Sequence, residues 1–284
     1  MSPRHELRRR LEWRGRSVAW DRLGDGPPVV LLHGTPWSSA LWRPIADALA
    51  ADVTVHLWDM PGYGASSKEA EHDVDLGTQA ELFAFLLDEW GLQGDVLPHV
   101  VAHDFGGAVS LRARLLHGAR YASLCLVDVV ALAPWGSPFF RLVHDHADVF
   151  AQLPPALHRG LVETYVRGAS AGHVGDDDLA MLVDPWTGEV GQAAFYRQIA
   201  QADERFTDEV EPLYPTLDEP VHVVWGADDT WIPVDRAHRL HDLVPGSTLT
   251  VLPDAGHLVQ LDARDALVDE LGRWLRDVAL APRG

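Results

Sequence analysis

Cysteine is almost missing from this chain: Cys125 is the only one among 284 residues. A lone thiol cannot close an internal disulfide, so the fold must rest on packing. Cys125 lies in the apolar run SLCLVDVV, where a buried, inert thiol is expected. Basic charge is scarce as well. Lys and Arg number 23 against 42 for Asp and Glu, a formal charge of -19. So acidic a surface argues against nucleic acid or an anionic membrane as partner. No window approaches the ~20 apolar residues that a membrane-spanning helix needs. The arginine-rich start, MSPRHELRRRLEWRGRSVAW, has no apolar segment behind its basic residues and does not read as a secretory signal. A cytoplasmic protein is expected. Internal repeats and low-complexity linkers are also missing, so disorder is not expected.

What is present is an ordinary apolar fraction, 47%, enough for one large globular domain with an inserted lobe. Short apolar runs alternate with helical patterns. PPVVLLHG, VTVHLWDMPGYG, HVVAH and ASLCLVDVVAL read as strands. SSALWRPIADALAA, LGTQAELFAFLLDEWG and GGAVSLRARLLHG between them carry helical spacing. Strands buried on both faces read as continuous apolar runs, so the fold class is α/β with a mostly parallel central sheet flanked by helices. From about Ala133 to Pro220 the rhythm changes to Pro- and Gly-broken helical segments. The expected organisation is therefore a core of residues 1–132 and 221–284 with a helical cap over 133–220. VHVVWG, VDRAHRLHDLV, TLTVLP and a last helix from about Arg264 to Val278 resume the alternation.

Chemistry concentrates at the ends of these strands. Val100 and Val101 lead into Ala102-His103-Asp104-Phe105-Gly106, and a helix follows. Small residues flanking a turn let strand and helix approach closely and force the tip residue outward. That residue is Asp104. A helix N-terminus favours negative charge there. Further along, WGADDTWIP offers Asp228 and Asp229 after a strand, and LPDAGHLVQLD offers His257. Nucleophile, acid, histidine is an ordered set that acts as a unit. A rival exists in GASAG, where Ser170 fills a G-x-S-x-G slot. No buried strand precedes it, so it reads as a loop of the cap. HDHAD, His144 to Asp148, resembles a metal-ligand run, but neighbours one and two apart on a helix point different ways, and no metal is expected.

The segments HGTP, DMPGYGAS, AHDFGG, WGADDTWIP and AGHLVQ together resemble the α/β-hydrolase fold, in its aspartate-nucleophile group of epoxide hydrolases and haloalkane dehalogenases. The resemblance covers nearly the whole chain and is weak across the cap. It implies Asp104 as nucleophile, His257 as general base and Asp229 as its acid, with Asp228 as fallback. It implies an oxyanion hole from the backbone N–H groups of Thr35 and Phe105. A carboxylate displaces a leaving group from saturated carbon and forms a stable ester, which water then cleaves at the Asp104 carbonyl.

The dehalogenases of this group carry Trp after the nucleophile to hold the halide; here Phe105 offers no donor. Epoxide hydrolases use cap tyrosines as acids, and AFYRQIAQ places Tyr196 with Arg197 where the second is often found. Tyr165 is a loose match for the first. The expected reaction is therefore epoxide opening, with carbon–halogen hydrolysis second and a non-catalytic ligand sensor third. Trp37, Phe105, Tyr165 and Trp231 are the expected pocket for a small apolar organic substrate, which reacts with water and no cofactor. A homo-oligomer stays open.

Overall fold

The computed structural model describes residues 6–280; the outermost few residues of the expected core boundaries lie outside it. Eight strands form one sheet in the order β1-β2-β4-β3-β5-β6-β7-β8. They are β1 (Arg9–Trp13), β2 (Arg16–Leu23), β3 (Pro28–Leu32), β4 (Thr54–Trp58), β5 (His99–Asp104), β6 (Ser123–Val129), β7 (Val221–Gly226) and β8 (Thr248–Leu252). From β4 to β8 every pairing is parallel, and β1 and β2 add an antiparallel edge. Val29 to Leu32 and Val100 to Ala102 have no solvent exposure, as strands covered on both faces must.

The edge hairpin was not foreseen from the sequence. Its signal is Arg14-Gly15, both with positive φ, between two runs of alternating polarity. Two left-handed residues make the tight turn whose twist matches a hairpin.

Helices α1 (Ser39–Leu49), α2 (Leu76–Glu89) and α3 (Phe105–Leu116) cross between the first parallel strands. Their starts follow local chemistry. Ser38 caps α1, and the Asp75 carboxylate accepts from the N–H groups of Gly77 at 2.8 Å and Thr78 at 2.9 Å to cap α2. Between β6 and β7 the chain is helical: α4 (Pro138–Asp145), α5 (Ala147–Phe150), α6 (Pro155–Arg167), α7 (Asp176–Val183), α8 (Gly188–Ala200) and α9 (Arg205–Asp208). HDHAD straddles the break between α4 and α5. The core resumes with α10 (Asp235–Leu243), α11 (Val259–Asp262) and α12 (Arg264–Leu280). Cys125 is fully buried on the sheet face that α1 and α12 cover. Among the described residues no helix is long and apolar enough to cross a membrane.

Candidate active site

Asp104 ends β5 and stands at φ 52°, ψ -123°, a region that non-glycine residues avoid. The strain is held by tight packing. A side chain on Gly106 would strike the His33 carbonyl, and one on Gly107 would strike Val129. Gly34 is equally constrained: a Cβ there would fall on the Asp104 carboxylate and 2.6 Å from the Phe105 nitrogen. The first βα loop thus lies directly against the turn. The backbone N–H of Thr35 donates to Asp104 Oδ1 at 2.6 Å, and the Phe105 nitrogen opens α3 close beside Gly34.

The loop is in turn tied to the one after β4. His33 Nε2 accepts from the Met60 N–H at 3.0 Å. The Asp59 carboxylate accepts from Ser39 at 2.8 Å and Ala65 at 2.7 Å, and Gly64 leaves it room. DMPGYGAS is therefore a brace for the floor of the site.

His257 follows β8 and is fully buried. Its Nδ1 is 2.9 Å from Asp229 Oδ2. Its Nε2 is 3.2 Å from Asp104 Oδ2 but off the line of a hydrogen bond, so this contact is electrostatic. Burial alone would strip the proton from this imidazole. Asp229 and Asp104 on either side outweigh that and hold the proton well above the ordinary histidine value. The other Asp229 oxygen accepts from the N–H groups of Trp231 at 2.7 Å and Ile232 at 2.9 Å, which locks the carboxylate's orientation. Asp228 beside it is exposed, so Asp229 is the residue that meets the histidine.

His103 supports the same loop from below, with its Nε2 at 2.9 Å from the His257 carbonyl. Burial and then the neighbouring His257 push its pKa down to about 3, so it is a neutral structural group.

The expected pocket residues gather as aromatic stacks. Trp231 lies 5.1 Å from the His257 ring, 5.7 Å from Trp37 and 4.3 Å from Tyr165. Beside Asp104, Phe105 packs edge-on against Trp135 at 5.6 Å and Phe140 at 6.2 Å. Tyr165 is half-buried, and its hydroxyl has no hydrogen-bond partner among the described residues. Burial and then the charge on Asp104 push its pKa up, so it keeps its proton beside that carboxylate.

Tyr196 departs from expectation. Its hydroxyl is bonded to His158 Nδ1 at 2.8 Å inside the cap, among Phe150 and Phe195, and burial pushes it up to about 12. Successive residues on α8 face different sides: Gln198 meets Thr35, and Arg197 donates to the Lys68 carbonyl at 3.1 Å. Ser170 is also accounted for. It donates to Asp262, whose other oxygen accepts from the Ala171 and Gly256 N–H groups, both at 2.9 Å. The cap loop is thereby clasped to the loop that carries His257, and the serine is part of the clasp.

Three residues at the site escaped sequence reasoning. Asp128, at the end of β6 with φ 45°, is fully buried and accepts from the Gly226 N–H at 2.8 Å. Burial and the adjacent Asp229 push its carboxyl well above the usual range. Its only sequence signal is an acid inside an apolar run. Tyr63 and Gln198 meet Thr35 at the seam between core and cap, and nothing in their local sequence announces it.

A model of the alpha/beta hydrolase family matches residues 29–270, and the chain belongs to that family. Among solved structures, an alpha/beta hydrolase fold protein from Burkholderia ambifaria is similar at 46% identity, with a TM-score of 0.90 over 94% of this chain and 97% of that one. The dihydrolipoyllysine-residue acetyltransferase component of the acetoin cleaving system of Pseudomonas putida is 28% identical over 92% of this chain and 67% of its own length. A pimeloyl-[acyl-carrier protein] methyl ester esterase from Aeromonas hydrophila is 28% identical over 85% of this chain and 92% of its own.

Proposed function

We propose that this hydrolase attacks a saturated carbon with Asp104, forms an alkyl ester on its own side chain, and releases product when water cleaves that ester. One observation carries the reading. The residue at the tip of the strained turn is a carboxylate, with Oδ1 on the Thr35 N–H and Oδ2 beside His257. Attack by Oδ2 leaves Oδ1 as the ester carbonyl oxygen, already facing a backbone donor. Charge that develops there when water adds meets a preorganised site.

Alkylation also removes the negative charge of Asp104, one of the two carboxylates that hold the proton on His257. The imidazole's proton affinity then falls, and a neutral Nε2 can take a proton from water. The base is thus released by the step that creates its task. Asp229 keeps the ring oriented and stabilises the imidazolium that forms when the proton returns.

An ester substrate, of the kind for which the Aeromonas hydrophila relative is named, fits these atoms less well, because a carboxylate attacking acyl carbon must form a costly anhydride. Epoxide opening fits best. Tyr165, with a free hydroxyl stacked against Trp231, is the acid that protonates the ring oxygen, in the place first assigned to Tyr196. A second reading, carbon–halogen hydrolysis, is favoured by Trp37. Its Nε1 is buried without a partner, and its ring lies 6.4 Å from that of His257.

The test is His257→Gln incubated with a panel of epoxides and haloalkanes and followed by intact mass. An enzyme-plus-substrate adduct is expected to accumulate, and the panel member that gives it identifies the leaving group. Single turnover of the wild type in heavy-oxygen water should label Asp104 before the product. A first alcohol that carries the isotope, with the chain unlabelled, refutes the reading. No adduct and no turnover across the panel favours a ligand sensor.

A further inference from the structure

Gln198 is a buried amide that no step above uses. It projects from α8 into the seam between cap and core and is 2% exposed. Its Oε1 accepts from the Thr35 hydroxyl at 2.7 Å and the Tyr63 hydroxyl at 3.0 Å. Its Nε2 is buried and has no partner among the described residues. With both hydroxyls donating to the oxygen, the free end of the amide is the N–H end. The same Thr35 donates its backbone N–H to Asp104 Oδ1, so the amide stands one residue from the nucleophile. A buried donor left unpaired weakens the fold unless something binds it. The donor is thus available for an acceptor that arrives with the substrate.

We propose that Gln198 is a catalytic residue whose Nε2–H binds the atom that departs from the substrate carbon. This rests on Asp104 as nucleophile. As Asp104 Oδ2 forms its bond to carbon, the bond from carbon to the leaving atom breaks, and its electron pair stays on that atom. An opening ring oxygen and a halide both carry developing negative charge at this moment. The amide donates a hydrogen bond and keeps its protons. A ring oxygen then takes a proton from Tyr165, and a halide takes none. Thr35 and Tyr63 act as positioning residues, because their hydroxyls aim the amide.

The effect should fall on the first half-reaction alone. In a His257→Gln background, growth of the covalent adduct is timed by intact mass with styrene oxide in one arm and 1-bromohexane in the other. Gln198→Leu and the nearly isosteric Gln198→Glu are expected to slow adduct formation on the order of 10²-fold, the loss typical of one removed donor to a developing charge. With His257 intact, decay of an adduct once formed should be unchanged, which a merely structural role would not produce. Thermal melts establish that each variant is folded; if the leucine variant is not, the glutamate variant carries the comparison. Adduct growth at the parent rate in a folded Gln198 variant overturns the proposal. Absence of adduct in the His257→Gln parent overturns the Asp104 reading instead. The arm that responds tells oxygen from halide.

Discussion

Asp229→Asn isolates the second half of the reaction. In the native site Asp229 Oδ1 is committed to two backbone donors, Trp231 and Ile232. An asparagine oxygen must take that place, since the amide nitrogen cannot accept from them. The NH2 group then faces His257 Nδ1, where Oδ2 stood at 2.9 Å. Two N–H groups cannot share that gap, so the imidazole carries its proton on Nε2. A ring protonated there cannot take a proton from water. A positioned general base contributes about 10²–10⁴ in rate, or about 3–5 kcal/mol. Attack by Asp104 needs neither group. The expected outcome is a kcat lower by about 10²–10⁴, a normal first-turnover burst, and ester approaching one per protein by intact mass. Steady-state turnover close to wild type without trapped ester would refute the reasoning. So would equal losses in both half-reactions of a folded variant.

Two further outcomes test the site's surroundings. Ser170→Ala should keep kcat and lose about 1 kcal/mol of stability with its bond to Asp262, read as a lowered urea midpoint; covalent labelling of Ser170 by a phosphonate would contradict this. Acid should destabilise the protein through His103. The unfolded residue binds a proton below its ordinary value of about 6.5, while the folded one resists until about 3. Stability therefore falls as pH drops through that window, by about 1.4 kcal/mol per unit for this one group. His56, held down to about 4 chiefly by burial, adds to the fall. His257, whose proton the fold holds well above the ordinary value, contributes a slope of opposite sign only where the unfolded residue still titrates, around and above about 6.5, and none once both states are protonated. Urea midpoints from pH 7 to 4.5 should show a flatter slope in His103→Asn; an identical slope would exclude the assignment.

Much of this molecule was written locally. Apolar runs such as PVVLL and HVVAH can only be strands buried on both faces, and they proved to be β3 and β5. Ala102 and Gly106, small residues on either side of the turn, marked Asp104 in the sequence, and the structure places Gly34, Gly106 and Gly107 at approaches that allow no Cβ. His257 and Asp229 were legible because each follows a strand in a fixed order.

The cap was not legible in this way. Tyr196 and Gln198 are two positions apart on one helix, and their local sequence does not say which faces Asp104. Its docking decides: His158 takes the tyrosine, and Thr35 and Tyr63 take the glutamine. Asp128 likewise gains its partner only when β6 and β7 pair. Strand burial and turn geometry are short-range properties of the chain, so the sequence by itself determined the fold and the turn that carries Asp104. Which polar groups converge on that turn depends on contacts between distant segments, and only the tertiary structure decided it.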